Sequence, residues 1–202
     1  MTTETTAIQE YFERLYQRGI TPWTEHGFEP EISQFADQLL ASNPKPTLLD
    51  IGCGNGWVSI YFAKRGLRID GIDSAPTAIA DAQEQAEQEE VSTLAHFQVG
   101  DGLELPYHAA AFDAVFDRGF FHHVLPDHYE QYLTGVHRVL KPGGLLSLHA
   151  FTTNNHEDIG HRFTSDDIEK IFGERFTLLS HSTDPWPTNA PAHLGHYLLQ
   201  AQ

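Results

Sequence analysis

Short apolar runs and amphipathic segments follow one another along most of this chain. Runs suited to buried strands lie at 48–51, 67–72, 96–99, 112–117, 145–151, 176–182 and 196–202. Apolar residues at helical spacing lie at 5–18, 31–42, 57–64, 75–90, 127–140 and 164–173. Strands that alternate with helices in this way predict an α/β fold, with a doubly wound, mostly parallel seven-stranded sheet and helices on both faces.

The segment TLLDIGCGNG joins the first predicted strand to the next helix through three glycines. Gly52, Gly54 and Gly56 leave the backbone bare, so a ligand can approach it closely. The dinucleotide fingerprint requires another glycine three residues after Gly54, but Trp57 stands there, which disfavours pyrophosphate. Asp50 adds negative charge before the loop and favours a cationic nucleoside. A tight turn without a ligand is the alternative.

The glycine segment, with Asp73, Asp101 and Leu-Lys-Pro-Gly-Gly at 140–144, resembles the class I S-adenosylmethionine (SAM) dependent methyltransferases over about 47–150. The resemblance implies a Rossmann-like sheet that ends in a C-terminal antiparallel hairpin. It also implies SAM as the cofactor, S-adenosylhomocysteine as the product and a small-molecule substrate as the methyl acceptor.

Asp73 follows the second strand, 19 residues after Gly54. One strand-helix-strand unit spans that separation and brings a carboxylate to the neighbouring strand end, where it can accept both ribose hydroxyl protons. By resemblance, Asp101 accepts from the adenine amine and the Leu103 amide meets a ring nitrogen, although Asp-Gly after a strand is also a turn signal. The predicted cofactor-binding residues are Asp50, Gly52, Gly54, Gly56, Asp73, Ser74, Asp101, Gly102, Leu103, Asp117 and Trp23.

The fourth strand ends in DRGFFHHVLPDHY, at the point where doubly wound sheets bind ligands. Asp117, Arg118, His122 and His123 gather there and resemble the Asp-x-Gly-x-x-His pattern of methyltransferases that act on small molecules. In-line methyl transfer needs mainly orientation and desolvation, so a base matters only for a hydroxyl or a protonated amine. His122 or His123 is the predicted base, with Asp117 and Arg118 shaping the site. The alternative puts one imidazole in the core on a backbone hydrogen bond and the other in water.

Residues 1–202 are predicted to form one domain, with N-terminal helices and a lid in 1–45 and the catalytic core in 46–202. The segment around Trp23 and Phe28 is typical of an ordered loop held by aromatic side chains. It resembles the segment that helps to close the site over SAM in thiopurine and tellurite-resistance methyltransferases. The alternative is that Trp23 simply plugs the core.

The chain carries 12 basic and 28 acidic residues, a formal charge of −16. This charge repels phosphate backbones and anionic lipids, so neither nucleic-acid nor membrane partners are expected. No apolar run approaches the roughly 18 residues of a spanning helix, and the start MTTETT lacks the features of a signal peptide. With Cys53 as its one cysteine, the chain is predicted to be cytoplasmic, as a monomer or homodimer.

Thirteen histidines suggest a second class, a metal-dependent enzyme. His122 and His123 are adjacent, so on a helix they would point about 100° apart, and they lack the i, i+4 spacing of zinc ligands. No metal site is therefore predicted. The other candidate ligands could form one only if the fold brought them together, and they are His149, His156, His161, His193 and His196. A third class binds SAM without transferring its methyl group. Thiols, heavier chalcogens, halides, carboxylates and phenols all remain open as acceptors.

Overall fold

The computed structural model describes residues 3–24, 30–153, 160–185 and 193–202. Its helices are α1 (Thr3–Gln17), α2 (Pro30–Ser42), α3 (Trp57–Lys64), α4 (Pro76–Gln88), α5 (Tyr129–Val139) and α6 (Ser165–Phe172). Its strands are β1 (Thr47–Ile51), β2 (Arg68–Asp73), β3 (Ala95–Val99), β4 (Phe112–Arg118), β5 (Leu140–Phe151), β6 (Phe176–Pro185) and β7 (His193–Ala201). Short 3-10 turns lie at Pro22–Thr24, Phe121–His123 and Pro126–His128.

The seven strands form one sheet in the order β3-β2-β1-β4-β5-β7-β6. Strands β1 to β5 pair in parallel, whereas β7 lies antiparallel between β5 and β6. The order reverses between β1 and β4, and doubly wound sheets bind their ligands outside the strand ends at such a reversal. The predicted doubly wound sheet with a closing antiparallel hairpin is confirmed.

Alternate residues of the central strands are buried on opposite faces of the sheet. Leu49 and Val115 pack in one core with residues of α5 and α6, whereas Leu48 and Phe116 pack in the other with residues of α2, α3 and α4. All four side chains are fully buried. Helices therefore cover both faces as predicted, and the strand ends form a rigid platform for the loops that follow them. Within the described ranges, no helix is long and apolar enough to cross a bilayer.

Some element bounds differ from the sequence expectation. The helix expected from Asp127 begins at Tyr129, because Pro126 starts a separate 3-10 turn in front of it. The Lys-Pro-Gly-Gly segment, which precedes the strand predicted at 145–151, lies inside β5, where the pairing with β4 changes register. Both strands of the closing hairpin are longer than predicted. Phe28, the expected second aromatic anchor of the N-terminal loop, lies outside the described residues.

Candidate active site

A cavity of about 720 Å³ lies at the carboxyl ends of β1, β2 and β4, a volume typical of small-molecule sites. Residues of α1 and of the turn at 22–24 contribute to its wall. The predicted site residues that line it are Trp23, Asp50, Gly52, Gly54, Asp73, Ser74, Asp101, Gly102, Leu103, Arg118, His122 and His123. Two other predicted residues, Gly56 and Asp117, are not among the lining residues.

The glycines of the loop after β1 have φ angles of +69°, +54° and +75°, a region that favours glycine. Protein atoms fill the space beside them. Phe120 stands where a Cβ on Gly52 would point, and the Tyr16 hydroxyl does the same at Gly54. Gly56 is packed against core side chains, which accounts for its position outside the cavity wall. These glycines are therefore required for close packing of the protein itself, as well as for the access of a ligand to the backbone.

Asp73, at the end of β2, is held by the loops on either side of it. Its Oδ2 accepts the Gly54 amide at 2.9 Å, and its Oδ1 accepts the Ala75 amide at 2.9 Å. Burial raises the pKa of this carboxyl, and the backbone hydrogen bonds oppose the shift. The predicted ribose ligand therefore lies in the cavity wall with a fixed orientation.

Asp50, at the carboxyl end of β1, is only 3% exposed. The Ser59 hydroxyl donates to its Oδ2 at 2.6 Å from the first turns of α3. Burial raises the pKa of Asp50 to about 7, although the Ser59 hydrogen bond favours the ionised form. A nearby cation would favour ionisation further, because an opposite charge stabilises the carboxylate.

Asp101 closes a local turn after β3. Its Oδ1 accepts the Leu103 amide at 2.8 Å, and its Oδ2 accepts from Gln9 Nε2 of α1 at 3.2 Å. The Leu103 amide is thus bonded to Asp101 and is not open to the adenine ring nitrogen that the resemblance implies for it. The carboxylate proposed for the adenine amine already holds an amide donor.

Polar contacts join α1 to the start of α4 and to the turn at 22–24. Glu13 accepts the Thr77 hydroxyl at 2.6 Å and the Thr77 amide at 3.1 Å, at the start of α4. Trp23 Nε1 donates to the Tyr16 hydroxyl at 3.0 Å, and the two rings meet edge to face. Trp23 thus lines the cavity and also packs on α1, and its role in closing the site over SAM stays a prediction.

Asp117 is fully buried behind the end of β4. Its Oδ1 accepts the amides of Phe120 and Phe121 at 3.0 and 3.2 Å, and its Oδ2 accepts the Tyr132 hydroxyl at 2.7 Å. Burial raises the pKa of Asp117 to about 6, and these donors limit the shift. The sequence predicted that Asp117 would reach the ligand site, but its carboxylate does not reach the cavity. The backbone amides of the turn after β4 and the Tyr132 hydroxyl occupy both of its oxygens.

The two adjacent histidines differ in setting. His122 is 3% exposed, accepts the Phe151 amide on Nδ1 at 3.3 Å and stacks on the Phe151 ring with 3.8 Å between centroids. His123 is less buried and meets Phe12 of α1 edge to face, with centroids 4.9 Å apart. Burial lowers the pKa of both imidazoles, to about 4 for His123, so both are neutral near pH 7. Both imidazoles line the cavity, but the buried and backbone-bonded His122 fits the core alternative, whereas His123 is the more accessible of the two.

Arg118 supplies a positive charge in the wall between the glycine loop and the histidines. Its guanidinium lies over the Trp57 ring, 5.3 Å from the centroid, a cation-π geometry. Its Nη1 donates to the Trp23 carbonyl at 3.5 Å, a long contact that links the N-terminal turn to the end of β4.

The groups of the cavity fit a cationic nucleoside. Asp50, Asp73 and Asp101 present carboxylates that suit a sulfonium, ribose hydroxyls and an exocyclic amine. The rest of the wall includes aromatic and imidazole side chains, among them Phe12 and Phe151. In the part of the chain that the structure describes, no three His, Cys, Asp or Glu side chains are grouped so that they could hold a metal ion.

Comparison with known proteins agrees with this geometry. Residues 48–144 match the family model described as methyltransferase domain. An uncharacterized methyltransferase of Synechocystis is 33% identical over 122 residues, which cover 60% of this chain and 55% of the relative. The 27-O-demethylrifamycin SV methyltransferase of Amycolatopsis mediterranei is 37% identical over 127 residues, 61% of this chain and 46% of the relative. The segment 48–144 of this chain is thus similar to a methyltransferase domain.

The chain spans about half the length of the two curated relatives. The fold of this chain also matches that of a solved structure, the 1,6-didemethyltoxoflavin-N1-methyltransferase of Burkholderia thailandensis. The TM-score is 0.79 at 24% identity, and the match covers 98% of this chain and 88% of that one. The match to a methyltransferase domain supports SAM as the cofactor.

Sequence reasoning missed three residues that line the cavity, namely Gln9, Tyr16 and Phe120, and it missed Glu13, which ties α1 to Thr77. Tertiary docking of α1 brings two of them, Gln9 and Tyr16, to the cavity. The amphipathic pattern of α1 indicated a buried face but carried no information about what that face would contact.

Proposed function

We propose that this chain transfers the methyl group of SAM to a small acceptor. The observation that carries the proposal is the make-up of the cavity, which joins the carboxylates of Asp50, Asp73 and Asp101 to an aromatic and imidazole surface. Such a cavity suits a cationic nucleoside beside an apolar acceptor. Bound SAM supplies an electrophilic methyl group on a sulfonium. The task of the protein is then to orient and desolvate the two reactants.

Asp73 is the proposed ribose ligand. The backbone of Gly54, Ser74 and Ala75 donates to its carboxylate, which fixes the orientation of the two oxygens towards a ribose hydroxyl. Asp101 is the proposed partner of the adenine amine, in exchange for the Gln9 amide that it now holds. The methionine end is proposed to lie over Gly52 to Gly56, near the Asp50 carboxylate.

The acceptor is proposed to be a small molecule with an apolar, planar body and an oxygen or nitrogen nucleophile. Phe12, Phe151 and Leu125 give the wall an aromatic and aliphatic surface that suits such a body. The Amycolatopsis relative is itself named for a small-molecule substrate, 27-O-demethylrifamycin SV, which supports this choice of acceptor class.

His123 is the proposed base. Its imidazole is neutral near pH 7, so it can accept a proton from a hydroxyl or an ammonium acceptor. His122 suits this role less, because its Nδ1 already accepts the Phe151 amide and its ring is stacked on the Phe151 ring. We assign His122 to the wall that orients the acceptor.

The segment 1–45 is proposed to act as a cover. Its contacts to Asp101 and Thr77 hold α1 over the cavity, and a cover of this kind would keep water away from the sulfonium. Exchange of ligands then requires α1 to move.

Two measurements test the proposed function. Titration calorimetry with SAM and S-adenosylhomocysteine should give micromolar or tighter binding, and NADH should bind more weakly. Phenols, amines and thiols are then screened separately for release of S-adenosylhomocysteine, starting from any compound that copurifies and is identified by mass spectrometry. Absence of SAM binding would refute the proposal. SAM binding without turnover across all three acceptor classes would favour the alternative of a SAM-binding protein that transfers no methyl group.

A further inference from the structure

The Tyr16 hydroxyl has an unusual position. Tyr16 lies on the last turn of α1, is 8% exposed and lines the cavity. Its oxygen stands directly over Gly54, in the space that a Cβ on that residue would need. A phenol from the N-terminal helix therefore points at the backbone of the loop on which the cofactor is expected to lie.

The Tyr16 hydroxyl has a hydrogen-bond donor as its partner but no acceptor. Its oxygen accepts from Trp23 Nε1 at 3.0 Å, but its own O–H has no acceptor among the described residues. A phenol can both donate and accept, and a buried donor without a partner is costly. Burial and the neighbouring Asp73 charge raise the pKa of Tyr16, so the phenol keeps its proton at neutral pH.

Trp23 also restricts the direction of the free proton. The indole N–H occupies one lone-pair direction of the phenol oxygen, so the O–H must point elsewhere. The bond thus prepares Tyr16 to donate to a ligand atom in the cavity. The ligand atom must be an acceptor, and a charged acceptor would give the stronger hydrogen bond.

On the basis of the proposed function, we infer that Tyr16 positions SAM by donating its O–H to the carboxylate at the methionine end. That carboxylate is the one anionic group of SAM, and ionised carboxylates in the cavity wall repel it. The methionine end is expected over Gly52 to Gly56, and the Tyr16 hydroxyl lies over Gly54. The sequence pattern alone had indicated no role for Tyr16.

The test compares two ligands that differ only in this carboxylate, SAM and decarboxylated SAM, by calorimetry on Tyr16→Phe. The variant keeps the ring and its packing and removes the O–H. Affinity for SAM should fall about 10-fold to 100-fold, as expected for a hydrogen bond to a charged group. Affinity for decarboxylated SAM should stay within about two-fold of that of the wild type.

Tyr107→Phe is the matched control, because the Tyr107 hydroxyl likewise accepts one hydrogen bond, from Gln98, and lies outside the cavity wall. This variant should bind both ligands like the wild type. Trp23→Phe is a second probe, since it removes the N–H that orients the phenol. Trp23→Phe should lower the affinity for SAM more than the affinity for decarboxylated SAM. The loss of SAM affinity should be smaller than the loss in Tyr16→Phe.

Equal losses for both ligands in Tyr16→Phe would overturn the inference, because the hydroxyl would then act on the nucleoside or on the fold. Unchanged SAM affinity would overturn it too. A wild-type protein that binds neither ligand would refute the proposed function itself. Failure of the function is thereby distinguished from failure of the Tyr16 assignment.

Discussion

The hydroxyl oxygen of Tyr16 occupies the space that a Cβ atom on Gly54 would need. The N-terminal helix and the glycine loop are therefore fitted to each other, although 38 positions separate the two residues in the sequence. Any change of shape on one side must be met by movement on the other, because close-packed side chains transmit small displacements.

Gly54→Ala should therefore displace α1. The new methyl group would collide with Tyr16, and the φ angle of +54° adds a backbone cost of about 1–2 kcal/mol. We expect SAM affinity to fall at least ten-fold by calorimetry. Gly66→Ala is the control, since Gly66 has a φ of +96° but no atom within 4 Å of the point where a Cβ would stand. Equal SAM affinities in the two variants would show that Tyr16 and Gly54 are not coupled.

Asp73→Ala should weaken SAM binding. The change removes two ribose hydrogen bonds to a charged group, and a loss of roughly 1.5–3 kcal/mol corresponds to about one to two decades in affinity. It also frees the amides of Gly54 and Ala75, so thermal unfolding must be measured beside calorimetry. Asp166→Ala, an exposed aspartate in the first turn of α6, is the control. Wild-type SAM affinity in a folded Asp73→Ala protein would contradict the ribose assignment.

Binding of SAM should release protons near pH 6. Asp50 has a pKa of about 7 in the ligand-free protein, and a nearby cation would lower it. The release is measured by calorimetry in buffers of different ionisation enthalpy, and it should vanish above about pH 8 and in Asp50→Asn. Without ligand, the raised pKa of Asp50 stabilises the fold below its ordinary pKa of 3.8, and this stability should be lost as the pH rises towards 7. Proton release that persists in Asp50→Asn would assign it to another group.

His123→Gln should lower kcat by about 10²–10⁴ with a hydroxyl or amine acceptor while SAM affinity stays nearly unchanged. The pKa of His123 is about 4, so the wild-type rate should be flat at neutral pH and should fall as the pH approaches 4. The variant should lack that ionisation in its pH–rate profile. His108→Gln, an exposed histidine outside the cavity wall, is the control. Equal profiles for both variants would mean that orientation alone carries the reaction.

Glu13→Ala should loosen α1. Glu13 accepts two hydrogen bonds from Thr77, and their loss from a partly exposed site is expected to cost about 1 kcal/mol, or about a five-fold increase in local opening. Hydrogen exchange of the α1 amides measures the opening. Glu10→Ala, which removes an exposed ion pair to Arg14 within the same helix, is the control. If both variants exchange alike, Thr77 does not anchor the helix.

The sequence predicted the sheet and the position of Asp73 because both depend on local chain geometry. An apolar run, a glycine turn and a helix of fixed length determine where the next strand must end. The start of α6, predicted at 164, is also local, because the Thr164 side chain accepts the Asp167 amide as the pattern Thr-x-x-Asp predicts.

The contacts of α1 could not be predicted in this way. By their spacing, the apolar stripe of α1 is Ile8, Tyr11, Phe12 and Leu15. Tyr11 of this stripe is nevertheless 53% exposed, whereas Tyr16, outside it, is 8% exposed. Periodicity identifies an apolar face but does not distinguish a face that meets the core from one that meets a cavity. The engagement of Asp117 by Tyr132 also depends on packing between a strand and a helix 15 residues away.

The position of β7 has a consequence for the order of assembly. It is the last of the seven strands in chain order, yet it lies inside the sheet, and β6 is joined to the other strands only through it. Strands β1 to β5 can pair before β7 is available, whereas β6 must wait, and such non-local pairing is slow. Until β7 inserts, the open side of β5 exposes unpaired backbone groups, which attract other chains. Variants that weaken the hairpin should therefore reduce the yield of native protein through self-association, while the molecules that do fold keep an intact cavity.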